Sequence, residues 1–173
     1  MQYLELTRNA RRQVEFTDGC IEMLALPAKK HQKWVWWLAR QVEAAVGGRG
    51  ELVTAPYKLR VRAGKYREPD LLTILPDSVH EALDDYATGA DLVFEVVSPK
   101  DPSRDDGEKP TAYAKASVGQ YWIVDPKRRV VTVLRLAGST CAQPEQFAAG
   151  ETAVSTSLPG LSIDVSACFG SAE

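Results

Sequence analysis

Two acidic residues stand beside runs of strand-forming hydrophobic residues in this 173-residue chain. Asp70 follows a proline and opens the run at 71–75, and Glu95 lies inside the run at 92–97. An ionised carboxylate is costly to bury unless it is paired, hydrogen-bonded or bound to a cation. Hard divalent cations bind oxygen ligands of this kind. The sequence therefore predicts a Mg²⁺ or Mn²⁺ site at Asp70 and Glu95, with the backbone carbonyl of Val96 as a further ligand.

A cation held by two carboxylates suits the hydrolysis of a phosphodiester bond. It supplies hydroxide near neutral pH and offsets charge on the phosphoryl oxygens. The site also needs a basic group.

Each candidate has a competing interpretation. Asp70 suits a turn after proline, and Glu95 suits a solvent-facing position on an alternating strand. The continuous apolar run around Glu95 instead favours a strand covered on both faces.

Local signals predict the elements that carry these residues. A hairpin is predicted at 13–24, because Asp18-Gly19 separates two alternating runs. An amphipathic helix follows between Pro27 and Gly47. The other predicted elements are extended chain at 51–62 with a bend or edge at Pro56, strands at 71–75 and 92–97 separated by a polar loop or short helix at 77–89, a helix at 111–117, a hairpin at 120–136, and short strands at 145–149 and 161–165. Strands outnumber helices, so we predict one mixed α/β domain over 1–173, with a central sheet flanked by helices and an N-terminal β-hairpin.

Several other side chains carry specific expectations. Tyr113 and Trp122 are predicted to pack the helix at 111–117 onto the sheet. Asp125 is predicted to form a turn, and Asp105 to cap the helix or pair with a nearby base. Trp36 falls off the apolar stripe of its helix and hints at a surface for a partner.

Charge is distributed unevenly along the chain. The net charge of −2 argues against a protein whose main role is to bind the nucleic-acid backbone. Residues 1–67 carry 13 basic and 6 acidic residues, whereas residues 68–173 carry 8 and 17. Lys58, Arg60 and Arg62 alternate on one predicted strand and share a face. That face is either exposed to solvent, which we favour, or a surface that faces the phosphates of a nucleic acid.

The remaining composition points to an ordinary cytoplasmic protein. Three cysteines lie far apart without a C-x-x-C pair, which indicates reduced residues rather than disulfides or a thiolate zinc site. No apolar run is long enough to span a membrane, and the start lacks the pattern of a secretory signal. We therefore expect a soluble protein without a membrane partner.

Motifs in order along nearly the whole chain resemble the Uma-two family, a bacterial group described as restriction-endonuclease-like. The proline–aspartate step and the strand acid are also similar to the PD-(D/E)XK nuclease superfamily. The segments that carry the resemblance are Val14 to Gly19, His31, Pro69-Asp70, Glu95 to Pro99, Asp105 to Tyr113, Gln120 to Pro126 and Leu158 to Leu161.

The resemblance implies a nuclease-like α/β fold, often dimeric, with an acid–acid–lysine site. The lysine that it implies is Lys109, whose flexible stem can reach back to the sheet, and Glu15 matches the family's hairpin glutamate as a candidate third acid that assists the site. Lys109 is alternatively a solvated lysine in a charged loop, and Glu15 one partner of a salt bridge on an exposed hairpin.

The chain departs from the pattern, since Val97 replaces the strand lysine and Pro110 follows Lys109, which biases that residue away from helical geometry. Ser117 stands where glycine is usual, and Gln120 where an acid is common. His31 is either a phosphate ligand or a surface residue, and we favour the second.

Two functions of different class follow from these residues. The first is a divalent-metal-dependent DNA endonuclease, in which Asp70 and Glu95 hold Mg²⁺ or Mn²⁺, Lys109 acts on the attacking water, and Glu15 assists. The second is a non-catalytic binding or assembly module that keeps the nuclease scaffold. The family resemblance and Trp36 also predict a homodimer.

Overall fold

Two mixed-topology sheets and a small β-ribbon form the frame of the protein in a computed structural model. The structure describes residues 2–7, 12–98, 108–137, 140–141 and 143–172. The helices of this part are α1 (Gln2–Thr7), α2 (Lys29–Val46), α3 (Glu108–Lys115) and α4 (Val165–Gly170). The strands are β1 (Val14–Thr17), β2 (Cys20–Met23), β3 (Glu51–Thr54), β4 (Lys58–Arg62), β5 (Lys65–Arg67), β6 (Leu71–Ile74), β7 (Tyr86–Ala87), β8 (Leu92–Val96), β9 (Gln120–Asp125), β10 (Val130–Ala137), β11 (Thr140–Cys141), β12 (Glu145–Ala148), β13 (Thr152–Val154) and β14 (Ser162–Asp164).

The larger sheet has the order β11-β10-β9-β8-β6-β3, and β12 also pairs with β10. Its neighbouring strands are antiparallel except for β8 and β9, which run parallel. A parallel pair needs a crossover connection, and α3 lies in it. The crossover therefore brings a helix to the end of β8, where the sequence predicts the site.

The smaller sheet has the order β2-β1-β5-β4-β7, and β13 pairs with β14 separately. The chain at 51–62, expected to be extended with a bend at Pro56, is split there between the two sheets as β3 and β4. The segment at 77–89 holds β7 and turns rather than a short helix. Neither α1 nor α4 was predicted.

Helix α2 buries one apolar stripe against the larger sheet. Leu38, Ala39, Val42 and Val46 are buried, as their spacing predicts. Gly47 ends the helix in the left-handed conformation with φ 62°, and its N–H bonds the carbonyl of Glu43. No helix in the described ranges is long and apolar enough to cross a membrane.

Apolar clusters cover both faces of the larger sheet. One contains α2 residues with Phe94 and Trp122, whose rings stack with centroids 5.3 Å apart. The other contains α3 residues with Tyr121, whose ring centroid lies 4.9 Å from that of Tyr113. Tyr113 therefore packs α3 onto the sheet as predicted, but the prediction for Trp122 was wrong. Alternation along β9 turns Trp122 to the α2 face.

Candidate active site

The pairing of β6 with β8 places Asp70 and Glu95 side by side. Leu71 pairs with Phe94, and the same antiparallel register puts Asp70 opposite Glu95. Both side chains are buried, with 9% and 5% exposure. Asp70 Oδ2 accepts a 2.8 Å hydrogen bond from the backbone N–H of Val96. The solvent-facing alternative for Glu95 is therefore wrong.

Lys109 reaches Glu95 from the first turn of α3. Its Nζ lies 2.9 Å from Glu95 Oε1, and its side chain keeps 11% exposure. The alternative of a solvated loop lysine is therefore wrong. Pro110 is compatible with this aim because the first turn of a helix tolerates a residue without a backbone N–H.

Tyr113 completes the surroundings of Glu95. Its hydroxyl donates a 2.5 Å hydrogen bond to the same Glu95 Oε1 that Lys109 contacts. Burial, and then the charge of Glu95, raise the pKa of Tyr113 well above its usual value. The tyrosine is therefore a permanent donor that holds the carboxylate in place.

His31, in the first turn of α2, lies against the other acid. Its Nε2 is 3.2 Å from both Asp70 Oδ2 and the carbonyl oxygen of Val96. Burial by itself lowers the pKa of His31, but the hydrogen bond and charge of Asp70 outweigh it, so the pKa is raised overall. The preference for a surface histidine was wrong, because the side chain keeps only 16% exposure.

Glu15 and Glu68 form an acidic wall beside these residues. Glu15 on β1 is 3% exposed and forms an ion pair with Arg67 of β5. It does form a salt bridge, but in a buried position rather than on an exposed hairpin. Glu68 accepts a 3.0 Å hydrogen bond from Val14 N–H and lies 3.7 Å from Lys58 Nζ. Burial raises its pKa from 4.5 to about 7 against the opposing effects of Val14 and Lys58.

These side chains line one cavity of about 420 Å³ between the hairpin, α2 and α3. The sequence-predicted residues Glu15, Asp70, Glu95, Val96 and Lys109 all border it. Asp105, expected to cap a helix or pair with a base, lies outside the described residues. The structure thus brings every predicted site residue to one place.

The donor set at the cavity, two carboxylates and a backbone carbonyl, is of the oxygen type that hard cations bind. His31 Nε2 lies 3.2 Å from both Asp70 Oδ2 and the Val96 carbonyl oxygen and occupies the point between them. Within the described ranges, no group of three or more His, Cys, Asp or Glu side chains is arranged to hold a metal. Mg²⁺ needs fewer protein ligands, since it commonly binds one or two carboxylates and completes its shell with water and phosphate.

Arg67 and Glu68 lie beside the site and were not predicted as site residues. The only signal for them was their position immediately before Pro69-Asp70, because partners 52 and 54 residues away leave no local pattern. The favoured solvated interpretation of the basic face of β4 holds for Arg62 and fails for Lys58. Lys58 is buried against Glu68, Arg60 is half-buried over the Tyr86 ring, and Arg62 is exposed and pairs with Asp18.

Comparisons with known proteins show the family and the fold. The model of the Uma2 (Uma-two) family, described as "Putative restriction endonuclease", matches residues 1–166. No curated protein matches the chain. A crystal structure described as "a putative nuclease belonging to DUF820 from Anabaena variabilis" is similar to it, with a TM-score of 0.79 at 14% identity over 98% of each chain. This likeness confirms the predicted nuclease-like mixed α/β fold.

Proposed function

The chain belongs to the Uma2 family, as its motifs predicted, and from this premise we propose that it is a divalent-metal-dependent endonuclease that hydrolyses DNA. The observation that carries the proposal is the meeting of Lys109 and Glu95 at 2.9 Å in a cavity that Asp70 also lines. Two acids from paired strands and one lysine from the following helix are the minimum set for this chemistry.

Asp70, Glu95 and the Val96 carbonyl are the proposed ligands of Mg²⁺ or Mn²⁺. When bound, the cation would act as a Lewis acid that polarises the phosphodiester and lowers the pKa of the attacking water. The backbone N–H of Val96 fixes the Asp70 carboxylate, and the Tyr113 hydroxyl fixes that of Glu95. Preorganised donors of this kind remove the cost of reorganising the site during the reaction.

Lys109 is the proposed group that acts on water and phosphate. Its ammonium donates a hydrogen bond to the attacking water and offsets charge on the phosphoryl oxygens. As the new P–O bond forms, the bond to the leaving sugar oxygen breaks, and that oxygen takes up a proton in place of the one that the water loses. Glu15 assists as part of the acidic wall, where Arg67 holds its carboxylate.

A non-catalytic nuclease-fold module is the second candidate. The pairing of Glu95 with Lys109 and of Glu15 with Arg67 favours it, because these buried charges are compensated within the protein itself. The overall net charge of −2 also favours it. The departures from the family pattern at Val97 and Pro110 do not favour it, since Lys109 reaches Glu95 in spite of them.

Calorimetric titration with Mn²⁺ separates the two candidates. We expect the wild type to bind, and Asp70→Asn and Glu95→Gln to lose the binding, because each removes one anionic ligand. Asp77→Asn is the matched control, since Asp77 is exposed and does not line the site cavity. Absence of binding to the wild type would overturn the metal-dependent function.

Cleavage of plasmid and single-stranded DNA in Mg²⁺ or Mn²⁺ then tests the role of the lysine. We expect Lys109→Ala to lower the single-turnover rate by at least about a hundredfold. Lys115→Ala, on the exposed end of the same helix, is the control and should cleave as the wild type does. A Lys109→Ala variant as active as the wild type would remove the assigned role.

The homodimer and the cytoplasmic location stay predictions. Sedimentation velocity of the purified protein measures the first, and fractionation of the source cells the second.

A further inference from the structure

One exposed face of α2 carries three basic residues and a tryptophan. Lys29, Lys33, Trp36 and Arg40 are all exposed, and Trp36 keeps 66% of its surface. Their spacing of four, three and four residues places them within about 60° of arc and along about 16 Å of helix. Leu38 and Val42, which are fully buried, lie on the opposite side. We call these four residues the α2 stripe.

The placement of charge on α2 opposes helix stability. The first turn of α2 contains Lys29 and Lys30 and no acidic residue, and the first acidic residue within the helix is Glu43. Cations near a helix N-terminus interact unfavourably with the helix dipole, where acidic residues are stabilising. Basic residues concentrated there produce a strongly positive surface, which suits an anionic partner.

The α2 stripe starts next to the segment that leads into the candidate active site. Pro27 and Ala28, which line the site cavity, immediately precede Lys29, whereas His31 lines the cavity from the side of the helix opposite the stripe. The stripe then runs away from the cavity along the helix. A strand bound on it would therefore pass around the N-terminus of α2 to enter the cavity.

We propose that the α2 stripe binds single-stranded DNA, with phosphates on Lys29, Lys33 and Arg40 and an unpaired base stacked on the indole of Trp36. Stacking on an aromatic side chain within a basic track is the general means of binding a single strand. In a duplex the bases already stack on one another, so no base face is available to stack on an exposed indole. A second copy of this chain, the partner that the sequence predicts at Trp36, fits this face poorly because a two-fold contact would bring identical basic stripes together. The predicted homodimer therefore rests on the family resemblance and not on Trp36.

The α2 stripe deepens the proposed function by naming the form of DNA that the site receives. It gives the cavity a strand that arrives along α2, and it rests on the proposed nuclease only for that last step. Binding itself needs no divalent cation, because the three basic residues and Trp36 supply the contacts.

Fluorescence anisotropy of labelled oligo(dT) in EDTA tests the α2 stripe without metal or cleavage. We expect Trp36→Ala to weaken binding at least about fivefold and Trp36→Phe, which keeps a ring, to weaken it less. The double variant Lys29→Glu/Lys33→Glu should flatten the slope of log K against log salt by about 1.4, since each phosphate contact on a single strand contributes roughly 0.7.

The controls separate loss of the surface from loss of the fold. Glutamate at Lys29, in the first turn of α2, favours the helix dipole, and Lys33 is exposed in the next turn, so the Lys29→Glu/Lys33→Glu protein should keep the circular dichroism spectrum of the wild type. Arg49→Glu/Lys115→Glu makes the same change of net charge at exposed positions beyond the far end of α2 and at the end of α3, and should bind as the wild type does.

Four results would overturn the proposal. The first is equal oligo(dT) binding by wild type, Trp36→Ala and the double variant, and the second is tighter binding of duplex DNA or of oligo(U) than of oligo(dT). The third is a wild-type dimer that Trp36→Ala converts to a monomer, which would assign the face to a second copy. The fourth is equal weakening by the control pair, which would show a general effect of charge.

These outcomes are distinguishable from failure of the proposed nuclease. A wild type that binds oligo(dT) through the stripe but neither binds Mn²⁺ nor cleaves would leave the stripe standing and remove the enzyme. If the protein cleaves DNA with metal but the stripe variants bind oligo(dT) as the wild type does, the enzyme stands and the stripe is removed.

Discussion

At the scale of single residues, Glu68 is a buried acid beside the site whose protonation is coupled to folding. Its pKa is raised to about 7 by burial, and the folded protein therefore holds this proton more tightly than the unfolded chain does. For an acid with a raised folded pKa, stability is greatest below the unfolded pKa of about 4.5. It falls as the pH rises from there to about 7, because the buried carboxyl must ionise.

We expect Glu68→Gln to stabilise the protein at pH 8 by about 1–3 kcal/mol and to have little effect at pH 4.5. The amide resembles the protonated acid and avoids burying a second carboxylate beside Glu15. Urea midpoints of variant and wild type at the two pH values measure the difference. Glu81→Gln, on the surface, is the control. A destabilised variant at pH 8 would show instead that the contact with Lys58 outweighs burial.

Site residues differed in how far the sequence could predict them. Asp70 and Glu95 were identifiable because a carboxylate among strand residues is locally anomalous. His31 was misplaced, since nothing near it in sequence indicates the 3.2 Å contacts with Asp70 and Val96. Lys109 was found only by the absence of a lysine at position 97, and its 2.9 Å contact with Glu95 depends on how the crossover folds.

At the scale of elements, Gly50 controls how closely the chain after α2 approaches β6. A Cβ there would lie 2.6 Å from the carbonyl oxygen of Ile74 and 3.3 Å from a methyl group of Val46. The nearest obstacle is backbone, which cannot turn aside as a side chain can.

We expect Gly50→Ala to destabilise the protein by about 1–3 kcal/mol because β3 and β6 must move apart. Thermal unfolding followed by circular dichroism measures the loss as a melting temperature lowered by several degrees. Gly170→Ala is the matched control, since a Cβ there meets open space, and it should stay within about 0.5 kcal/mol. A Gly50→Ala protein as stable as the control would contradict the close approach.

Elements with local signals were predicted and those that depend on distant pairing were not. The hairpin of β1 and β2, helix α2 and the hairpin of β9 and β10 have turn or capping residues at their ends, and their bounds agree closely with the sequence. The division of 51–62 between two sheets depends on β3 pairing with β6 and β4 with β5, which no local pattern indicates. Helices α1 and α4 have six residues each, too few for periodicity to indicate them.

At the scale of the whole molecule, one sheet separates two apolar clusters that share the same strands. Phe94 belongs to the cluster under α2, whereas the adjacent Val93 belongs to the cluster under α3. Because neighbouring residues of β8 anchor both faces, loss of one cluster removes the support of the other. This favours the single domain predicted from chain length.

We expect urea unfolding to give one transition that tryptophan fluorescence and far-UV circular dichroism report at the same midpoint. Phe94→Ala should lower the free energy of unfolding by about 3–5 kcal/mol while both signals still coincide. The exposed substitution Val79→Ala is the control, because Val79 keeps 91% of its surface. Two separate transitions would show that the sheets unfold independently.

The pairing of Leu71 with Phe94 has a consequence for refolding. A slip of one residue between β6 and β8 would send Asp70 to the wrong side, while a compact, collapsed chain would still form. After dilution from urea, the rate at which the proposed Mn²⁺ affinity returns would therefore measure how fast β6 and β8 reach the correct register. A measurement of compaction alone would not reveal that step.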